Sequence, residues 1–176
     1  MLDILIVKTA ETYLGQTEKA GNLGWQDPEF EAKMKAVGWK PTHSWCCYFA
    51  ELVWKEALTM RRPLNYDKLM ELYSKFFSAS CTATYANFRG SSFFTTGNIP
   101  KAGALAVWRY GSGWTGHIGI CTKGADKFGR FTTIEGNTNA AGEREGMFVM
   151  RKDRRTGLPF KEKGLNLIGF IYPPNV

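Results

Sequence analysis

The sequence predicts a single α+β domain in which N-terminal helices pack on a C-terminal antiparallel sheet of about five to six strands. Three observations carry that expectation. Helix start and stop signals crowd the first half of the chain. Short runs rich in β-branched and aromatic residues, bounded by Gly, Pro, Asn and Lys, crowd the second half. No Pro/Gly/Ser-rich linker separates the two, and 176 residues is an ordinary length for one domain.

Each element has its own reason. Asp3 is placed to cap a first helix that runs to Tyr13 and Leu14 and stops at Gly15. Asp27-Pro28-Glu29 combines an N-cap, a proline at the first helical position and an acid in the first turn; that helix should run to Val37 and end at Gly38. Pro41-Thr42-His43-Ser44 reads as a turn, with Ser44 capping a helix over about 45–58. Weaker helical stretches follow at 66–76 and 81–88. Strands are expected at 104–109, 117–122, 131–135, 147–152 and 167–172.

Composition narrows the partners. The chain carries 23 Lys and Arg against 16 Asp and Glu, a formal net charge of +7. That balance favours a polyanion, whether nucleic acid, an anionic membrane or a cell-wall polymer, without choosing among them. No apolar run approaches the roughly 18 residues of a membrane-spanning helix. Met1-Leu2-Asp3-Ile4-Leu5 has no basic n-region and no small-residue cleavage site, so the expectation is synthesis in the cytoplasm without a secretory signal. Cys46, Cys47, Cys81 and Cys121 are then expected as free thiols. Cys46-Cys47 lacks C-x-x-C spacing, only His43 and His117 are present, and no Asp-x-Asp-x-Asp-Gly run occurs; no metal or cofactor is expected. Arg151-Lys152-Asp153-Arg154-Arg155 raises nucleic-acid binding as a reading of another class. No zinc finger, RNP or helix-turn-helix signature accompanies it, so the run reads as a solvated hairpin and no nucleic-acid partner is expected.

One constellation carries chemistry. Ser44-Trp45-Cys46-Cys47-Tyr48-Phe49 puts two thiols in the first turn of a helix, where backbone N–H groups and the positive end of the dipole favour thiolate. Trp45, Phe49, Leu52 and Val53 form a core stripe; periodicity does not choose between Cys46 at its edge and Cys47 on a more mixed face. His43, in the turn before the cysteines, reads as an exposed residue. His117, in Gly116-His117-Ile118-Gly119-Ile120, shares a strand face with Gly119 and Cys121, and the glycines let another backbone or a substrate approach the ring. Glu135 and Asn137, two residues apart at a strand end, can share a face, and either can orient the imidazole. Cysteine, histidine and then an acid or amide is the order and role set of a papain-like thiol hydrolase.

These segments resemble the CHAP domain family, cysteine- and histidine-dependent amidohydrolases/peptidases related to NlpC/P60 enzymes. Trp45-Cys46-Cys47-Tyr48-Phe49 is similar to the family's Trp-Cys-x-x-Phe nucleophile motif, which selects Cys46. Ile99-Pro100-Lys101-Ala102-Gly103-Ala104-Leu105 is similar to the Pro-x-x-Gly-Asp turn, with Ala104 where the family has Asp. Gly116-His117-Ile118-Gly119-Ile120 and Ile134-Glu135-Gly136-Asn137 are similar to the histidine strand and the Glu-x-Asn element. Tyr13-Leu14-Gly15-Gln16-Thr17-Glu18 and Gly21-Asn22 are similar to the lead-in of phage-type members.

The resemblance implies a papain-like/CHAP fold and a peptidoglycan hydrolase, either an N-acetylmuramoyl-L-alanine amidase or a stem-peptide endopeptidase. Cys46 is the implied nucleophile, His117 the acid–base group, and Glu135, with Asn137 assisting or replacing it, the orienting group. A phage endolysin is the implied role, and an injected interbacterial amidase toxin the alternative. Further expectations are a single catalytic domain over 1–176 without a wall-binding domain, a monomer, and action in the periplasm or wall after holin-type release or injection. Residues 144–163 hold seven Lys and Arg against three Asp and Glu. This stretch, with Arg151, Lys152, Arg154 and Arg155, is expected to draw the enzyme to anionic envelope polymers while leaving the chemistry untouched.

Overall fold

The computed structural model describes residues 1–139 and 146–176, so the first two residues of the basic stretch, 144 and 145, lie outside the described residues. Among the described residues five helices precede six strands: α1 Leu2–Thr12, α2 Pro28–Ala36, α3 Cys46–Arg61, α4 Tyr66–Phe76, α5 Cys81–Arg89, β1 Thr96–Gly97, β2 Leu105–Tyr110, β3 Gly116–Cys121, β4 Arg130–Thr138, β5 Phe148–Arg155 and β6 Leu165–Ile171. The strands form one sheet in the order β1-β6-β2-β3-β4-β5, with every neighbouring pair antiparallel. No helix among the described residues is long and apolar enough to cross a membrane.

Local signals place the starts of α2 and α5. Asp27 caps α2 by accepting from the N–H groups of Glu29 and Phe30, and Pro28 opens the helix. The Ser80 hydroxyl accepts from the Ala83 N–H at the start of α5. Two expected caps differ. α1 begins one residue before Asp3, behind Met1, so Asp3 lies in the first turn and pairs with the N-terminal ammonium. α3 begins behind Trp45 rather than Ser44, and the Trp45 side chain makes no capping hydrogen bond. α3 also runs three residues past its expected end, to a left-handed Arg62 at φ 42° followed by Pro63. Met60 and Arg61 are exposed, so no apolar period marks that last stretch.

The sheet has six strands, within the five to six expected, and the one outside the five named runs is β1. β1 is two residues long, too short for any periodic signal, and pairs with the end of β6 through Thr96↔Ile171. Alternation splits the sheet into two faces. Leu105, Val107, Ile118, Ile120, Ile134 and Ile171 join the helices in the main core. Ala104, Ala106, Trp108, Cys121, Phe131 and Phe170 form a second, smaller apolar cluster.

α3 is the central helix, packed against α1, α2, α4, α5, β3 and β4. Its start is held by aromatic contacts: Trp45 stacks edge-on against Trp25 at 5.3 Å and Phe49 at 6.3 Å between centroids, and its indole donates to the buried Glu18 carboxylate. β4 crosses this cluster at Gly136. A Cβ there would lie 2.5 Å from the Trp45 ring and 2.9 Å from Phe49. The missing side chain therefore lets β4 approach the helix start. Gly136→Ala should lower stability by about 1–3 kcal/mol through overpacking, read as a reduced urea midpoint at unchanged slope.

Candidate active site

The first residue of α3 is Cys46, 4% exposed and set at the positive end of the helix dipole. Cys81, the first residue of α5, meets it: the Cys46 and Cys81 Sγ atoms are 3.4 Å apart, and the Cys47 and Cys81 Sγ atoms 2.6 Å apart. The Cys47 and Cys81 thiols beside it, together with His117, hold the Cys46 thiol well below its usual range, although burial opposes this. Burial pushes Cys47 and Cys81 the other way, well above theirs. Of the three sulfurs, Cys46 is thus the one whose charged form is favoured.

His117, fully buried near the start of β3, is held by Glu135 on β4: Nε2 lies 2.8 Å from Glu135 Oε2. Its Nδ1 is buried and makes no hydrogen bond to a nitrogen or oxygen among the described residues, leaving Cys46 as the group that acts on it. Burial disfavours the imidazolium, but Cys46 and Glu135 outweigh it and raise the pKa to about 9. Glu135 is itself fully buried and would be costly as an ion without partners. It has four donors among the described residues: Thr133 Oγ1 at 2.5 Å and Arg154 Nε at 2.7 Å on Oε1, and His117 Nε2 at 2.8 Å and Arg154 Nη2 at 2.5 Å on Oε2. Burial works against the charge, yet Arg154 and then His117 hold this carboxyl at about 2. Trp108 closes the assembly, with its ring 6.1 Å from His117 and the Arg154 guanidinium 4.8 Å from its centroid.

Glycine makes room for the acid. A Cβ on Gly119 would lie 2.6 Å from Glu135 Cγ, so the space beside His117 is filled by Glu135 rather than by a substrate. Asn137 is buried, but the ring nitrogen goes to Glu135. The strict alternation that would place residues 135 and 137 on one face fails here, because the β4–β5 register shifts between Glu135 and Thr138 and Asn137 sits in the left-handed region at φ 55°. His43 is exposed, 3.3 Å from the Tyr48 hydroxyl and stacked near its ring.

Sequence reasoning missed two residues. Arg154 lay inside a charge run read as solvated; its side chain is 15% exposed and grips Glu135 with two nitrogens. The expectation that Arg154 serves only envelope attraction is therefore corrected. Alternation along β5 could have flagged it, since Lys152 and Arg154 fall on one face. Cys81 lay 35 residues from Cys46 with no spacing signal. The sulfurs of Cys46, Cys47 and Cys81 lie within 4.8 Å of one another, a soft donor set that C-x-x-C spacing did not disclose. A cleft of about 1180 Å³ lies between Trp108, Arg130, Asp153, Arg155 and Lys163; among the described residues it shares Trp108 and Arg154 with the site and is lined by neither Cys46 nor His117.

A thiolate at a helix start, an imidazole on a neighbouring strand and a carboxylate holding that imidazole, on helices packed against an antiparallel sheet, define a papain-like thiol hydrolase. The sequence model of the CHAP domain matches residues 37–137, from the end of α2 into β4. The chain belongs to the CHAP domain family and is thus a cysteine- and histidine-dependent amidohydrolase/peptidase of the peptidoglycan-hydrolase kind. No curated protein and no solved structure matches it.

The charges set a pH window. His117 is raised to about 9, so the imidazolium is present below that value and lost as pH rises through it. The rate should fall on an alkaline limb near pH 9. In Glu135→Gln the loss of the carboxylate charge should move that limb to lower pH, as read in pH–rate profiles of both proteins. Arg154→Ala removes two of the four donors from a buried carboxylate. It should cost about 3–5 kcal/mol of stability, measured by urea unfolding.

Proposed function

We propose that the protein hydrolyses an amide bond of peptidoglycan, at the muramoyl–alanine linkage or within the stem peptide, with Cys46 as nucleophile. The observation that carries the reading is the buried His117–Glu135 pair, whose imidazole Cys46 and Glu135 together raise to a pKa of about 9.

The steps follow from the charges. The Cys46 thiolate attacks the carbonyl carbon, and the developing oxyanion is met by backbone N–H groups at the start of α3, among them that of Cys46. The His117 imidazolium gives its proton to the departing amine, leaving a thioester on Cys46. Neutral His117 then takes a proton from water, whose oxygen attacks the thioester and frees the carboxylate product. Glu135 keeps the ring oriented and stabilises its charged form; it stays ionised throughout, held by Arg154.

The biological role that fits is a phage endolysin acting on the cell wall after holin-type release. The basic balance supports attraction to anionic envelope polymers. Lys123, Arg130, Arg155, Lys161 and Lys163, set against Asp126 and Asp153, line the cleft beside Arg154 and are the cations best placed for it. Arg151 is paired with Glu11, and Lys152 donates to the Asn139 carbonyl. The run thus has structural bonds of its own, which weakens a nucleic-acid reading.

Cys46→Ala should abolish lysis of purified cell walls while the circular dichroism spectrum stays that of the parent. Retained lysis would sink the assignment. Mass spectrometry of the wild-type digest then reports the bond: free muramic acid carboxyls for an amidase, or shortened stem peptides for an endopeptidase.

A further inference from the structure

Hydrolysis reacts at one thiol of the three that meet at the site, while Cys47 and Cys81, buried beside it, support its thiolate without forming a bond to substrate. Their sulfurs are 2.6 Å apart, about half an ångström more than the roughly 2.05 Å of a disulfide. Cys81 also lies 3.4 Å from the Cys46 sulfur, so it stands between the other two as a shared neighbour. The three residues come from the starts of two helices, α3 and α5, separated by 34 and 35 positions in sequence. Cys121 belongs to the second apolar cluster across the sheet and takes no part.

We propose that Cys47 and Cys81 are a redox pair, closed to a disulfide by thiol–disulfide exchange that starts at Cys46, takes a small-molecule disulfide as oxidant and returns Cys46 as a free nucleophile. The exchange balances in three steps. The Cys46 thiolate attacks one sulfur of the oxidant RSSR, whose S–S bond breaks and releases RS⁻. Cys81 attacks the Cys46 sulfur across 3.4 Å and expels the second RS⁻. Cys47 attacks the Cys81 sulfur across 2.6 Å and expels the Cys46 thiolate. Two thiols lose two protons and two electrons, one RSSR becomes two RSH, and Cys46 ends as it began.

Two features set the direction. Cys47 and Cys81 are buried thiols, poor nucleophiles toward an oxidant in solution, so reaction begins at the one sulfur held as thiolate. That same stabilisation makes Cys46 the best leaving group of the three, so the disulfide settles on Cys47 and Cys81. The bond would tie the start of α3 to the start of α5 in an oxidising compartment and open in a reducing one, without consuming the nucleophile.

The test reads thiols rather than lysis, so it is independent of which bond the enzyme cuts. Reduced protein, freed of reductant, is incubated with excess glutathione disulfide, quenched in acid, alkylated and digested. Tandem mass spectrometry with fragmentation between residues 46 and 47 then locates the bond. The expected result is a Cys47–Cys81 disulfide with Cys46 and Cys121 alkylated, reversed by dithiothreitol, and formed at least about tenfold more slowly in Cys46→Ala. Four alkylated thiols, a disulfide or glutathione adduct remaining on Cys46, or an undiminished rate in Cys46→Ala would each overturn the proposal.

Discussion

A carboxylate with no access to water stands at the middle of this molecule. Moving an ion of that kind out of water costs several kcal/mol even after the surroundings relax. Hydrogen bonds to a charged group each return about 1.5–3 kcal/mol, so a single partner does not offset the burial of Glu135, whereas four donors do. The geometry of those four settles much else. Thr133 and Arg154 must reach Oε1, and His117 and Arg154 must reach Oε2, which requires β3, β4 and β5 to be adjacent and in this register. Gly119 must lack a side chain so that the acid fits beside β3. The ionised acid in turn sustains a charged imidazole in a place where burial alone would neutralise it.

The helical layer brings the other half of the chemistry to that charge. Trp45 is locked by Trp25, Phe49 and the Glu18 carboxylate, and β4 slides under it at Gly136. The residue after Trp45 is therefore held at the helix start with little freedom. The oppositely charged partners then support each other: imidazolium favours thiolate, thiolate favours imidazolium, and the two neutral thiols donate to the sulfur that carries charge. Cys47 and Cys81 pay for nothing in the peptide chemistry itself, yet their burial keeps them protonated and thus able to act as donors.

Arg154 shows how a surface charge and a site residue differ. Along β5, exposure alternates, and the cations divide accordingly. Arg151 pairs with Glu11 at the surface, where an ion pair contributes about 0–1 kcal/mol. Arg154 points to the inner side, stacks on Trp108 and completes the Glu135 cage. It lies outside the span that the family match covers, residues 37–137, so the last strands complete a centre whose reacting groups all fall within it.

The helix start at Asp27-Pro28 and the alternating strands were legible in the sequence because each depends on residues a few positions apart, and the order cysteine, histidine, acid because each motif is local to its own element. Caps and periodicity act over one turn or two pleats, and a motif records side chains that must stand at set spacing on one element. Tertiary structure decided the rest. It set Glu135 against the His117 ring nitrogen, and it shifted the β4–β5 register between Glu135 and Thr138, which strict alternation does not foresee. It brought Cys81 to Cys46 and Arg154 to Glu135, pairs 35 and 19 positions apart with no local spacing to announce them. Long-range partners of a buried charge or thiol are selected by the cost of leaving it unsatisfied, and that cost exists only once packing has removed the water.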